Sequence, residues 1–424
     1  DGKESRKTAW MTVALLKYYE RNQQKSQTKF MKTGYSIRTW RMRLVCPEPI
    51  WLDRTEEYFQ NVVEFYYHLL RQHEELWNSS LFDIQRSLEL LTLTGRDGRQ
   101  PTNPLPMGKV PVYLRRAAIN KASATVKSTQ ELQSGFPEKL EAKVTFFKGM
   151  YSDLTDRSIC LKLWNGEKWI WTDCNLKGRP LPQDGQLMSP TLVKEGRRYL
   201  LNIPVKQENS DARTAKERMA EGTNLCSVRF TNTDTFAVCC ILDEQGKQLA
   251  VHNCRGGDAY RHRCKLLETR IQKSRPNTVG DNSPQPNRKY YMHLKNLSEH
   301  YAHQVSREIL NFCKENQAGI IVLPDYDQNF TRMAMVKSGN FSPLHLSSKI
   351  RTNLQYKAWA EGILVLETRT DGLKDKCAIC GGKVRRKGNE FLCENGHQGN
   401  RFLNDARNLG RKCQDSFFRG SRTK

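Results

Sequence analysis

Cys377-Ala-Ile-Cys380 and Cys393-Glu-Asn-Gly-His397 are the residues of this chain best suited to chemistry. Two thiols separated by two residues sit on one tight knuckle, so both sulfurs can reach one tetrahedral ion. Cys393 and His397 add a third thiolate and an imidazole, and the set reads as a small closed zinc site. A redox dithiol uses the same Cys-x-x-Cys spacing. The Asn395-Gly396 turn between the last two ligands favours the metal. The usual second pair would be two thiols, so here His397 stands in for one of them.

The next chemistry is electrostatic. The 424 residues include 69 Lys plus Arg against 45 Asp plus Glu, a net charge of +24. An excess of that size along a whole chain points to a polyanion, not to a small acidic ligand. Arg115, Arg116, Lys121 and Lys127 surround Ala117, Ala118, Ala122 and Ala124 on one predicted helix. Small residues beside cations suit close packing with phosphate contact, although an ordinary amphipathic helix has the same pattern. Trp40, Trp164, Trp169 and Trp171 could stack on bases, but strand aromatics more often belong to a core. Cys226, Cys239, Cys240 and Cys313 lie in apolar runs, as small core residues of a reducing cytoplasm do. No run approaches the ~18 apolar residues of a spanning helix, no signal-peptide pattern opens the chain, and no membrane partner is expected. A start at Asp1 leaves room for an upstream piece.

These side chains need a frame, and the length implies about two to four domains of α+β class. Residues 1–32 are a basic extension with one helical stretch, Thr8 to Tyr19. Residues 33–48 hold a strand with interleaved cations, Tyr35 to Leu44. Residues 49–136 are helical: Tyr58, Val62, Phe65 and Leu69 repeat at helical spacing within 53–92, a loop runs from Gly95 to Lys109, and Pro111 opens the basic helix. Residues 137–208 switch to a period of two and predict a small β-barrel or sandwich, with Asn165-Gly166 as a hairpin signal. Gln207 to Glu221 reads as a polar link.

Residues 222–375 begin with three apolar strands, Leu225 to Phe230, Phe236 to Leu242 and Gln248 to Cys254. A Pro/Asn/Gly-rich loop spans 273–288. Leu294, Leu297, Tyr301, Val305, Ile309 and Phe312 then mark one face of a long helix, which Gly319 is expected to close before the buried strand Ile320 to Leu323. A further helix leads to the strand Gly362 to Leu366. Three-stranded meander, helix, strand, helix, strand is the order of an RNase H-like fold. The cysteine cluster at 376–399 interrupts it, and 400–424 return to it with a basic tail.

This order resembles the transposon-encoded TnpB proteins and the type V CRISPR effectors descended from them. His300 to Asn316 (HYAHQVSREILNFCKEN) resembles the helix before their second catalytic strand. Tyr356-Lys357-Ala358 to Gly362-Ile363 resembles the step before their zinc ribbon, and Asn404 to Leu409 their closing helix. The resemblance covers most of residues 33–415 and is strongest from 290 onward. It implies a helical recognition lobe over 49–136, a wedge β-barrel over 33–48 and 137–208, and a RuvC-like domain over 222–375 and 400–424 with an inserted zinc ribbon.

Nucleases of that kind hold two Mg²⁺ ions with three carboxylates. The first belongs on the opening strand, which here reads Val228-Arg229-Phe230-Thr231-Asn232, with Asp234 in the turn beyond. The second is a Glu ending the apolar strand, where this chain has Pro324 and then Asp325, one residue late and so on the opposite face. The third, registered on Asn404, falls at Phe402, with Asp405 nearly a helical turn further on. Arg or Phe, Pro and Phe cannot bind a hard divalent ion. As turn and cap residues, Asp234 and Asp405 are expected at a hairpin turn and in a first helical turn.

The resemblance therefore implies a guide-RNA-directed binder of double-stranded DNA whose cleavage site is degenerate, in the prokaryotic cytoplasm and at the nucleoid. Its implied partners are guide RNA and target DNA, joined by transposition proteins if it resembles the nuclease-inactive type V-K effectors, and without them if it resembles dead TnpB-derived repressors. One alternative is an active Mg²⁺-dependent endonuclease with displaced acids at Asp234, Asp325 and Asp405. The other is a zinc-ribbon RNA-binding protein with no DNA target.

Overall fold

The structure is a computed structural model that describes residues 34–95, 97–209, 211–274, 287–326 and 342–419. The helix expected from Thr8 to Tyr19 and most of the loop expected over 273–288 lie outside those residues. The chain divides into two compact units, Ile37–Gln207 and the chain from Glu208 onward, the latter joined by the described residues before Ile37.

The first unit opens with β1 (Tyr35–Val45), in which Trp40, Met42 and Leu44 are buried while Arg41 and Arg43 face out. Helices α1 (Pro49–Gln72), α2 (Leu81–Thr92) and α3 (Val112–Leu132) follow. The single helical run expected over 53–92 is therefore two helices. Ser80 begins the second, its hydroxyl accepting from the Asp83 N–H at 3.2 Å, an N-cap that ends one periodicity and starts another. Ala117, Ala118 and Ala122 are buried, as close helix packing requires.

Strands β2 (Tyr151–Ser152), β3 (Ser158–Trp164), β4 (Trp169–Lys177), β5 (Gln186–Leu187), β6 (Thr191–Glu195) and β7 (Arg198–Glu208) join β1 in a seven-stranded sheet of order β2-β3-β4-β1-β7-β5, with β6 on β7. Among the described residues this path has free ends at β2 and β5, so the expected barrel is an open sheet. Asn165-Gly166 does turn the β3–β4 hairpin: Gly166 has φ +114°, and Asn165 Oδ1 accepts from the Glu167 and Lys168 N–H groups at 2.8 Å each. The helices and the sheet share one continuous apolar core, from Trp40 through Phe59 and Ile119 to Val205.

The second unit starts where the sequence suggested only a link. Thr214 and Glu217 form a reciprocal capping box at α4 (Ala215–Ala220). Arg218 of this short helix is fully buried and donates to the carbonyls of Gly319 (2.7 Å), Gly362 (2.6 Å), Asp211 (2.8 Å) and Arg213 (3.2 Å). Strands β8 (Asn224–Phe230), β9 (Thr235–Leu242) and β10 (Gln248–Arg255) form an antiparallel meander, and helices α5 (Gly257–Lys273) and α6 (Arg288–Glu315) follow. Then come β11 (Ala318–Asp325), α7 (Ser347–Trp359) and β12 (Leu364–Arg369). The sheet order is β10-β9-β8-β11-β12, with β11 parallel to both β8 and β12, the RNase H-like arrangement.

Gly319 lies inside β11 and does not close α6. Gln317 makes that turn, in the left-handed region at φ 53°. A Cβ at Gly319 would meet Thr223 Cγ2 at 2.6 Å, so close packing is its reason.

Helices α5, α6 and α7 cover one face of the sheet, through Tyr260, Val305, Ile309 and Leu354. Helix α8 (Arg401–Arg419) covers the other through Ala406, Leu409 and Cys413. It lies close because Gly410 has no side chain; a Cβ there would sit 2.5 Å from Leu242 Cδ1. Between β12 and α8 stand three short strands, β13 (Val384–Lys387), β14 (Glu390–Cys393) and β15 (Gln398–Asn400), paired in that order. Among the described residues no helix is long and apolar enough to cross a membrane.

Candidate functional site

Two knuckles build the cysteine cluster. After Cys377 the backbone folds back, with the Gly381 N–H donating to Cys377 O at 2.8 Å and the Cys377 N–H to Gly382 O at 2.8 Å. After Cys393 the turn repeats, with the Gly396 N–H on Cys393 O at 3.0 Å and the Cys393 N–H on His397 O at 2.7 Å. Gly381 and Gly396 have φ of +76° and +83°, which L side chains rarely adopt. Backbone N–H groups of Ile379 and Asn395 reach the sulfurs of Cys377 and Cys393 at 3.4 Å each, and Asn395 Nδ2 reaches Cys380 Sγ at 3.3 Å. Donors aimed at sulfur favour the thiolate. The Asn395 amide, helped by the Gly382 N–H, holds the Cys380 thiol down to about 6.

One donor atom from each of Cys377, Cys380, Cys393 and His397 lies within 4.8 Å of the others, and the Cys380 and Cys393 sulfurs are 3.3 Å apart. Sulfurs bound at about 2.3 Å to one tetrahedral ion stand about 3.8 Å apart, so the group needs to open only slightly. His397 Nδ1 is buried without a hydrogen-bond partner. The residues fit a metal ion, and the group could hold one.

Helix α8 fixes this cluster in place. Asn404 Oδ1 accepts from the Ala378 N–H at 2.7 Å while its Nδ2 donates to Lys376 O at 2.8 Å. One turn on, Asn408 Nδ2 donates to Lys376 O (2.8 Å) and Leu373 O (3.0 Å), and Arg411 donates to Ala378 O. The i, i+4 spacing of the two asparagines was the available signal for this clamp.

The same helix meets the end of the large sheet with opposite chemistry. Arg229 leaves β8 toward Asp405, its Nε 3.3 Å from Asp405 Oδ2, and also donates to the Tyr326 hydroxyl. Arg386 of β13 holds the other oxygen, NH2 to Oδ1 at 2.5 Å. Asp405 is 2 % exposed and Arg229 13 %. Phe230 is buried in the opposite face. Pro324 is buried in β11 beside Thr368, and its carbonyl accepts from Arg351 at 3.0 Å. Arg351 Nε is 3.4 Å from the carboxylate of Glu367, whose burial raises its carboxyl above the ordinary range. The Arg401 guanidinium lies over the Phe402 ring at 4.6 Å.

Asp234 sits in the β8–β9 turn, where Oδ1 accepts from the Asp258 N–H at 3.1 Å and its carbonyl from the Gly257 N–H at 2.6 Å, at the start of α5. Asp325 is exposed at the end of β11. Asp405 lies in the second turn of α8, not the first, which has no acid. Among the described residues, the only groups of three or more His, Cys, Asp or Glu with donor atoms within 4.8 Å are the cysteine cluster and His252, Cys254 and Glu308. Asp234, Asp325 and Asp405 do not form such a group.

The basic helix needs a correction. Arg115 is buried, and its Nε and NH2 lie 3.2 and 3.1 Å from Glu89 Oε1, with NH1 on Val110 O at 3.4 Å. It faces α2 and cannot contact phosphate. Arg116 Nε is 3.4 Å from the same carboxylate but half-exposed, and Lys127 Nζ donates to Ser79 O at 2.8 Å. Lys121 is exposed. Of the strand tryptophans, Trp40 is core, Trp164 and Trp169 pack on Tyr58 (4.9 and 5.2 Å), and Trp171 is exposed.

Comparison with known proteins adds a fold. The Aq_aa04 family model matches residues 36–165, and no curated protein matches in sequence. Among solved structures, the Cas12f1–sgRNA–target DNA complex aligns with TM-score 0.52 at 12 % identity, covering 89 % of this chain and 99 % of that one. The mini-RNA-guided endonuclease CRISPR-Cas_phi3 aligns with TM-score 0.50 at 10 % identity, over 92 % and 96 % of the two chains. The AacC2c1–sgRNA–extended non-target DNA ternary complex gives 0.51 at 8 %, over 86 % and 70 %. The chain has the type V effector fold. Because the Cas12f1 match takes in 89 % of the chain, the type V fold spans both units.

Proposed function

We propose that this protein binds a guide RNA and, through it, double-stranded DNA, without cutting the DNA. The observation that carries the reading is Asp405, buried with both oxygens held by Arg229 and Arg386. Two-metal phosphate chemistry needs carboxylate oxygens free to bind Mg²⁺. Here a guanidinium, which keeps its charge at any working pH, stands among them. Pro324 and Phe402 offer no oxygen ligand from their side chains. Asp234 and Asp325, engaged at a helix start and exposed at a strand end, add nothing to that point.

The net charge of +24 supports a polyanionic partner, and the fold neighbours crystallised or imaged with sgRNA and DNA support the kind. Base pairing would read sequence while the protein holds the heteroduplex by its phosphates. In this reading Ile37–Gln207 supplies the recognition helices and wedge sheet, and the ion in the ribbon is structural zinc, held by Cys377, Cys380, Cys393 and His397. Transposon targeting, with transposition proteins as partners, or repression would be the use, in a prokaryotic cytoplasm.

The test is incubation of the protein and its guide with labelled matched duplex in Mg²⁺ or Mn²⁺. Stable binding with both strands intact is expected. Guide-dependent nicks that vanish with Asp325→Ala or Asp234→Ala would overturn the reading. Affinity should also fall with salt, with a log–log slope of about several units.

A further inference from the structure

The edge strand of the RNase H-like sheet carries a second donor cluster, away from the ribbon. His252 and Cys254 are two apart on β10 and so share a face. Their register partners on β9 are Cys239 and Ala237, both part of the core under α6. Glu308 comes down onto them from α6. His252 Nε2 and Glu308 Oε1 are 2.6 Å apart, and one donor atom from each of His252, Cys254 and Glu308 lies within 4.8 Å of the other two. Cys254 is fully buried, whereas the His252 and Glu308 side chains are 35 % and 31 % exposed. The group is therefore closed below and open to solvent above.

A partly exposed His–Glu pair alone would be a weak surface contact. The buried thiol turns it into a ligand set, since nitrogen, sulfur and carboxylate oxygen converge on one point. That donor mixture suits a borderline divalent ion such as Zn²⁺ and not Mg²⁺ or Ca²⁺, which take oxygen alone. Bonds of about 2.0 Å to nitrogen and oxygen and about 2.3 Å to sulfur would require the His–Glu pair to part by less than ~1 Å. The surrounding core holds the ligands in place. The Phe312 ring backs the imidazole, centroids 5.3 Å apart at 33°, and Cys254 is held in the core beside its register partner Ala237.

We propose that His252, Cys254 and Glu308 form a second metal site, for a zinc-class divalent ion, that ties edge strand β10 to helix α6. Three protein ligands leave the fourth tetrahedral position to water or another small donor from the open side. The ion would replace the Cys254 thiol proton, which passes to solvent.

The experiment loads the full chain with ZnCl₂, desalts it and measures zinc per chain by mass spectrometry for wild type and variants. Wild type should retain one more zinc per chain than Glu308→Gln, which can keep a hydrogen bond to His252 and so keep the fold, and one more than Cys254→Ser. Cys380→Ser should remove the ribbon ion and leave this difference intact, so the two sites are read separately. Equal zinc in wild type and Glu308→Gln would overturn the proposal and leave a His–Glu pair only. If Cys254→Ser fails to fold, the Glu308→Gln comparison decides.

Discussion

At the ribbon, Cys377, Cys380, Cys393 and His397 turn their donor atoms toward one another, and His397 Nδ1 has no protein partner. At the end of β8, Asp405 turns its oxygens toward Arg229 and Arg386. Both arrangements hang on the first two turns of α8, where Asn404 faces the ribbon and its neighbour Asp405 faces the sheet. Converging thiolates repel one another unless protons or a cation from solution stand between them. Lone pairs already met by guanidinium groups have their cation built into the chain. The difference shows where such a fold depends on its surroundings: on a bound cation at the ribbon, in the reading proposed above, and at the sheet end on that same ribbon, whose strand β13 carries Arg386.

The comparison breaks first at the ribbon. Stripping zinc with a chelator, or Cys380→Ser, should cost an apparent binding free energy of about 10 kcal/mol or more. Amide exchange should rise across 376–399 and into the start of α8. Unchanged protection in metal-free protein would remove the contrast. Next is Asp405→Ala, which leaves two partly buried arginines without their carboxylate and should lower stability by about 3 kcal/mol in urea unfolding. A neutral result would mean that Asp405 is not held as described.

Asn404→Ala removes two hydrogen bonds between α8 and the ribbon and should cost about 1–3 kcal/mol. Its effect should shrink once zinc is removed, because the knuckle it clamps is then already loose. Equal losses with and without zinc would uncouple the two sites.

The mildest case is Asp211, which Arg213 holds at a pKa of about 2. A carboxyl depressed in the fold stabilises above its unfolded pKa, near ~3.9. That stability is lost as pH falls from there through about 2. With Asp211 22 % exposed, about 1–2 kcal/mol should disappear over that window, and Asp211→Asn should flatten the acid limb. An identical acid limb in the variant would count against the pairing.

The order of elements in the second unit and the grouping of the cysteines were legible because apolar runs and Cys spacing are local signals. Helix α4 was not, since a capping box at Thr214 and Glu217 inside a polar stretch has no apolar periodicity to announce it. Arg115 misled for a related reason. A cation beside alanines looks solvent-facing until Glu89, on another helix, is placed against it. The positions of Phe230, Pro324 and Phe402 could be counted from the resemblance, but the Arg229–Asp405–Arg386 network joins residues 229, 386 and 405 and has no signature along the chain. Alternation predicted a barrel or sandwich and the resemblance implied a wedge barrel, but alternation does not say whether the strands at the two ends of the path, β2 and β5, find each other.

Arg218 has a consequence for the order in which the chain can become itself. Its carbonyl partners Gly319 and Gly362 stand 101 and 144 residues further along. On the ribosome, the guanidinium emerges long before either exists, and it must stay hydrated until both parallel strands have been made. Burying it early would leave the Nη1 donors that meet Gly319 and Gly362 unpaired, at a cost of about 1–3 kcal/mol or more. The second unit is thus barred from closing piece by piece. A nascent chain halted before residue 362 should remain open to proteases from Asp211 onward, and closure should come in one late step.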